Sequence, residues 1–189
     1  MATIVAENVA GVSGVPTVMM QLAQMDWPRA TRESVRYLRV DGGRMPEKGV
    51  RLLRNVLPDA EMYLMYGMTE TLRATYLPPE EVDRRPHSMG KAIPNAEIIV
   101  LRPDGSPCDP GEPGELVQKG PLLARGYWND PARTAQVFRP APGLPSGDLS
   151  GERAVWSGDI VTRDEQGFFY FVGRKDEMMK IRGYRVSPM

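Results

Sequence analysis

The sequence predicts an α/β fold: a βαβ portion of a parallel sheet, followed by a small β-rich twisted sheet or distorted barrel. Two strand-like runs, "VRYLRV" and "AEMYLMY", flank an amphipathic helical pattern in "PEKGVRLLRNVLP". Strand, helix, strand in that order implies parallel pairing. Further along, helical periodicity yields to short extended runs separated by turn residues. The 19 glycines and 18 prolines make up about a fifth of the 189 residues, against roughly 12% in ordinary chains. Many of them punctuate the second half, which favours short strands over helices.

Each element has its own signal. "GVPTVMMQLAQM" places Val15, Val18, Met19, Leu22 and Met25 at helical spacing, with Pro16 at a first helical position. "VRYLRV" reads as a strand ending in "DGGRMP". In the next helix Pro46 opens the first turn, and Val50, Leu53 and Leu57 share a face. "AEMYLMY" is a buried strand, apolar and aromatic, bounded by turn signals. "AEIIVLRPDGSPCDPGEPGELVQKG" reads as two strands around a long turn marked by "PDG". "WNDPARTAQVF" is a short helix capped by Asn129 or Asp130, with Pro131 first. "AVWSGDIVTRDEQGFFYFVG" is a strand pair around "RDEQG", and "RPAPGLPSGDLSGE" reads as a flexible loop. "MMKIRGYRV" reads as a strand or hairpin at the start of a further unit. These signals divide the chain into an α/β part at 1–76, a β-rich part at 77–172 and a closing segment at 173–189.

Composition excludes several functions. Lys+Arg and Asp+Glu both number 24, so overall charge argues for neither a nucleic-acid nor a membrane-surface partner. The arginines of "RATRESVRYLR" read as a solvated helix face. Cys108 is the single cysteine, which leaves no intrachain disulfide or cysteine metal site and suits a reducing cytoplasm. His87 is the single histidine and reads as a surface loop residue in "RRPHSMG". No apolar run approaches the roughly 18 residues of a membrane span, and the N-terminus lacks the pattern of a signal peptide. A soluble, cytoplasmic protein is expected.

One ending is unusual. "YLMYGMTET" stops its apolar run at Gly67 and continues with Thr69 and Glu70. In open α/β sheets ligands bind outside the carboxyl ends of strands. Gly67 would let the backbone approach such a ligand, with Thr69 and Glu70 facing it. Taken singly, these residues also have plainer readings: Tyr66 as core, Thr69 as a turn cap, Glu70 as a solvated acid, Asp159 as a turn aspartate, and Arg174 with Asp176 as a surface ion pair.

Together, "YGMTE" (66–70), "GELVQKGPLLARGYWNDPARTAQVF" (114–138), "WSGDIVTRDEQGFFYFVGRKDE" (156–177) and "KIRGYRVSP" (180–188) resemble the adenylate-forming superfamily in order and spacing. That superfamily includes acyl- and aryl-CoA ligases, peptide-synthetase adenylation domains and luciferase. "DGGRMP" is similar to its glycine pair before the adenine pocket. The resemblance implies ATP or AMP as nucleotide and Mg²⁺ as metal. Tyr66 would stack on adenine, with the backbone of Gly42, Gly43 and Arg44 on the other side and Gly67 beside it. Thr69 would bond the α-phosphate and Glu70 would help hold Mg²⁺, which makes these two the catalytic candidates. Asp159 would accept the ribose hydroxyls, and Arg174 would add charge to ribose or phosphate. Val15 and Met68 would border the acyl pocket. Asp176 matches the family hinge, and Lys180, Arg182 and Gly183 the loop on the thiol side.

The implied reaction joins a carboxylic acid to ATP as an acyl-adenylate, then passes it to the thiol of CoA or of a carrier protein. "YGMTE" leans towards the CoA ligases. By the same comparison, the chain corresponds to the second half of the large domain plus the hinge. The family's phosphate-gripping loop and adenylation lysine have no counterpart in the 189 residues. Those parts are expected as missing N- and C-terminal partners, and the isolated chain is expected to be inactive or nearly so. The alternatives are a carrier-protein-loading adenylation fragment and a non-catalytic nucleotide-binding or assembly module.

Overall fold

The computed structural model describes residues 2–140, 152–175, 179–181 and 184–186. The first part of the chain runs α1 (Ala2–Ala6), β1 (Gly11–Gly14), α2 (Pro16–Leu22), α3 (Arg29–Ser34), β2 (Tyr37–Val40), α4 (Glu47–Val56) and β3 (Glu61–Tyr66). Next come β4 (Thr75–Leu77), α5 (Pro79–Val82), β5 (Ser88–Ala92), β6 (Glu97–Leu101) and β7 (Gly114–Lys119). The last described elements are α6 (Pro131–Val137), β8 (Phe138–Pro140), β9 (Arg153–Arg163), β10 (Phe169–Arg174), β11 (Met179–Ile181) and β12 (Tyr184–Val186).

The expected α/β architecture is present. β1, β2 and β3 pair in parallel, with Gly11 opposite Tyr37 and Val40 opposite Leu64. The remaining pairings are antiparallel, and one sheet of ten strands runs β1-β2-β3-β4-β5-β10-β9-β7-β6, with β8 added to β9. It stays open: no pairing joins β1 to β6 among the described residues. β11 and β12 form a separate antiparallel pair with Lys180 opposite Arg185.

The core explains the parallel part. α4 buries Val50 and Leu53, and Leu57 follows them inward, against Leu38, Val40, Met62 and Leu64 of the strands beneath. Each such side chain removed from water is worth about 1.5–3 kcal/mol. A second cluster forms under the antiparallel strands from Ile98, Val100, Leu116, Val161 and Phe169, with Tyr66 and Met68 packed against its edge. Tyr66 therefore meets its core reading halfway, ring on the core and hydroxyl turned elsewhere.

Three expectations need correction. The helix from Pro16 ends at Leu22, because the Trp27 indole nitrogen donates to the Leu22 carbonyl at 2.8 Å and Met25 falls beyond it. Of the apolar face expected there, Met19 is buried while Val15, Val18 and Met25 are exposed. Pro46 is not the first helical residue of α4 but its extended cap, with ψ 142°. Of the two caps expected for α6, Asp130 is the one used: its carboxylate accepts the Arg133 amide at 2.9 Å, while Asn129 turns left-handed at φ 52°.

Candidate functional site

The carboxyl ends of β1, β2 and β3 open together into one crevice of about 2260 Å³. Val15 follows β1, Gly42 and Gly43 follow β2, and Tyr66 closes β3. All three sets line the crevice, as do Arg44, Gly67, Met68, Thr69, Glu70, Asp159 and Arg174. Every expected site residue up to position 174 thus meets in one concavity. Asp176, Arg182 and Gly183 lie outside the described residues, as does the side chain of Lys180, whose backbone belongs to β11.

The central contact is a three-residue relay. Tyr66 Oη donates to Asp159 Oδ2 at 2.5 Å, and Arg174 Nη1 donates to Asp159 Oδ1 at 2.6 Å. Cross-strand register puts the second pair together, since Arg174 on β10 stands opposite Asp159 on β9. Asp159 is only 8% exposed, so its charge needs those partners. Burial, reinforced by the neighbouring Asp159 charge and hydrogen bond, pushes the Tyr66 hydroxyl well above its usual range. It remains a proton donor across neutral pH.

The loop before Asp159 is held from below. Ser157 Oγ donates to the Leu116 carbonyl at 2.7 Å and accepts the Asp159 amide at 3.0 Å. Buried Glu115 accepts the Gly158 amide on one oxygen at 3.1 Å and Lys175 Nζ on the other at 3.2 Å. One carboxylate on β7 therefore fixes both the segment before Asp159 and the residue after Arg174.

On the opposite wall Thr69 is exposed, and Tyr127 Oη donates to Glu70 Oε1. Burial, then the bond to Glu70, raises the pKa of Tyr127. Gly67 lines the crevice and also answers a constraint of the chain itself. A Cβ there would collide with the Leu72 carbonyl and lie 2.9 Å from Arg73 Cα. The residue admits the chain's returning turn, in which Ala74 N donates to the Tyr66 carbonyl at 3.0 Å. Gly42 does need its freedom, at φ +77°.

The sequence reading missed several residues. His87 sits in a loop as expected, yet it lines the crevice and its Nδ1 lies 2.9 Å from Arg44 Nη2. A guanidinium only donates, so Nδ1 accepts and Nε2 carries the proton, 3.4 Å from Glu47. Tyr127, Glu115 and Lys175 also line the crevice. Their only sequence signal is membership of the two long stretches around positions 114–138 and 156–177.

The donor set suits a hard, phosphate-bound cation. No group of three His, Cys, Asp or Glu side chains forms a metal cage among the described residues. Mg²⁺ needs none, being held by one or two carboxylates together with substrate phosphates and water. Glu70 spends Oε1 on Tyr127, and a single carboxylate of this kind fits such an ion.

The model of the family described as "AMP-binding enzyme" matches residues 1–128. The nonribosomal peptide synthetase ecdA of Aspergillus rugulosus is 33% identical over 173 residues, which is 91% of this chain and 2% of that protein. The structure of IdnL1 matches with a TM-score of 0.86 and 31% identity, over 98% of this chain and 38% of that one. o-Succinylbenzoate CoA synthetase (MenE) from Bacillus subtilis, in complex with ATP and magnesium, matches with a TM-score of 0.76 and 27% identity, over 99% and 36%. The chain thus spans less than half the length of each. No helix among the described residues is long and apolar enough to cross a membrane.

Proposed function

The chain belongs to the AMP-binding enzyme family, and from that membership we propose that its crevice holds the nucleotide of an acyl-adenylate during ATP-dependent activation of a carboxylic acid. The observation that carries the proposal is the convergence of Tyr66, Asp159 and Arg174 beside Thr69 and Glu70 at the strand ends.

Each group has work suited to its chemistry. The face of Tyr66 packs on the adenine, with the Gly42–Gly43–Arg44 backbone opposite. Asp159 accepts the ribose hydroxyls; each carboxylate oxygen offers two lone pairs, so its bonds to Tyr66 and Arg174 leave capacity. Arg174 adds positive charge at the ribose or phosphate, and Thr69 donates to an α-phosphate oxygen. Glu70 holds Mg²⁺, which when bound neutralises polyphosphate charge. Val15 and Met68 border the acyl group.

The acid and ATP are both anions, so the site must offset their repulsion and hold them in line. A carboxylate oxygen bonds to the α-phosphorus as the bond to the bridging oxygen breaks and pyrophosphate leaves. A thiol then attacks the acyl carbon, forming a thioester and releasing AMP. The similarity to a nonribosomal peptide synthetase supports a carrier-protein thiol as acceptor. The "YGMTE" stretch and the likeness to MenE support CoA instead.

Acid-dependent ATP–pyrophosphate exchange by the complete enzyme containing this chain tests the first step. Exchange that falls by 10-fold or more in Asp159→Ala is expected, since hydrogen bonds to a charged group are worth about 1.5–3 kcal/mol. Absence of exchange with every acid offered would support a non-catalytic nucleotide-binding module. Supplying CoA and a carrier protein separately identifies the acceptor.

A further inference from the structure

We infer that Tyr127 is a positioning residue for the metal-holding carboxylate: through Glu70 Oε1 it fixes the orientation in which the other oxygen meets Mg²⁺. The inference rests on the proposed role of Glu70 and deepens it.

Tyr127 is itself fixed from several sides. Its amide donates to Thr134 Oγ1 at 2.9 Å, and that hydroxyl donates to the Asp130 carbonyl at 2.8 Å, which locks the tyrosine to the first turn of α6. Its ring meets Phe138 edge to face, with centroids 5.9 Å apart and planes at 77°. The Arg133 guanidinium carbon lies 4.8 Å from its centroid on the α6 side. The same strand-to-helix connection grips Glu70 a second time, because Ala124 N donates to the Glu70 carbonyl at 2.8 Å. Backbone and side chain of one acidic residue are therefore tied to one segment more than 50 residues later in the sequence.

A carboxylate on an exposed turn samples many rotamers, and a cation must select one of them. A phenol anchored in this way removes that cost before the metal arrives. The hydroxyl suits the task because it donates a single proton to Oε1 and leaves the other carboxylate oxygen open. Groups that orient a metal ligand from behind typically alter metal affinity or activity by about 10–100-fold.

The test compares the complete enzyme containing this chain with its Tyr127→Phe variant by calorimetry. Three titrants are used: AMP, ATP with EDTA, and ATP with Mg²⁺. Unchanged AMP affinity is expected in the variant, together with loss of about 10-fold or more of the extra affinity that Mg²⁺ gives ATP in the wild type. Retention of the full Mg²⁺ increment in Tyr127→Phe overturns the inference while leaving the nucleotide site standing. Absence of any Mg²⁺ increment in the wild type overturns it through Glu70, and AMP binding then reports separately on the nucleotide site. If Tyr127→Phe does not fold, Thr134→Val carries the test. It keeps the phenol but releases its amide, and a reduced increment supports the inference whereas a full one contradicts it.

Discussion

Tyr66 shows how much one side chain can combine. Its ring closes the edge of an apolar cluster, and its hydroxyl bonds a nearly buried aspartate. Burial first, then the Asp159 charge, favours the neutral phenol in the folded state. A raised pKa contributes stability that is complete below the unfolded value of about 10 and is lost as pH rises through the higher folded value. Thermal melting followed from neutral pH to above pH 10 should therefore fall more steeply for the wild type than for Tyr66→Phe. Parallel alkaline limbs would contradict this. The residues legible in the sequence were those whose type and order form a pattern: Tyr66, Thr69, Glu70, Asp159 and Arg174. Tyr127, Glu115 and His87 act through partners 57, 43 and 43 residues away, and no local spacing encodes such pairs.

At the scale of elements, α6 is a seven-residue helix whose first turn depends on its Asp130 cap. Asp130→Ala should cost about 1 kcal/mol in denaturant unfolding, and no change would show that Thr134 and Phe138 hold the segment without it. The β9–β10 turn rests on Asp164. Burial opposes its ionisation, but the Phe168 amide, the Tyr170 hydroxyl and the Arg85 charge outweigh that and hold its pKa below the usual range. A lowered pKa contributes stability present above the unfolded value of about 3.9 and lost as pH falls through the folded one. Asp164→Asn should flatten the acid limb below about pH 4, and an unchanged limb would contradict the assignment. Long elements were legible: α4 has a clear apolar face, and β9 with β10 frame an obvious turn. The short α5, β4 and β8 span three or four residues each, too few to show a period. Tertiary pairing makes them.

For the whole molecule, the open sheet is the organising fact. Its parallel strands end at the crevice floor, and its antiparallel β9–β10 hairpin brings Asp159 and Arg174 over to them through β4 and β5. The chain covers 38% of IdnL1 and 36% of MenE. By itself, the 189-residue chain should give no acid-dependent pyrophosphate exchange above background. Robust exchange would overturn that expectation. The direct test of the nucleotide crevice is calorimetric titration of AMP into this chain and into its Asp159→Ala variant. Saturable binding that weakens by about 10-fold or more in the variant is the predicted result. Equal affinity in the two proteins, or no binding by a folded wild type, would contradict it.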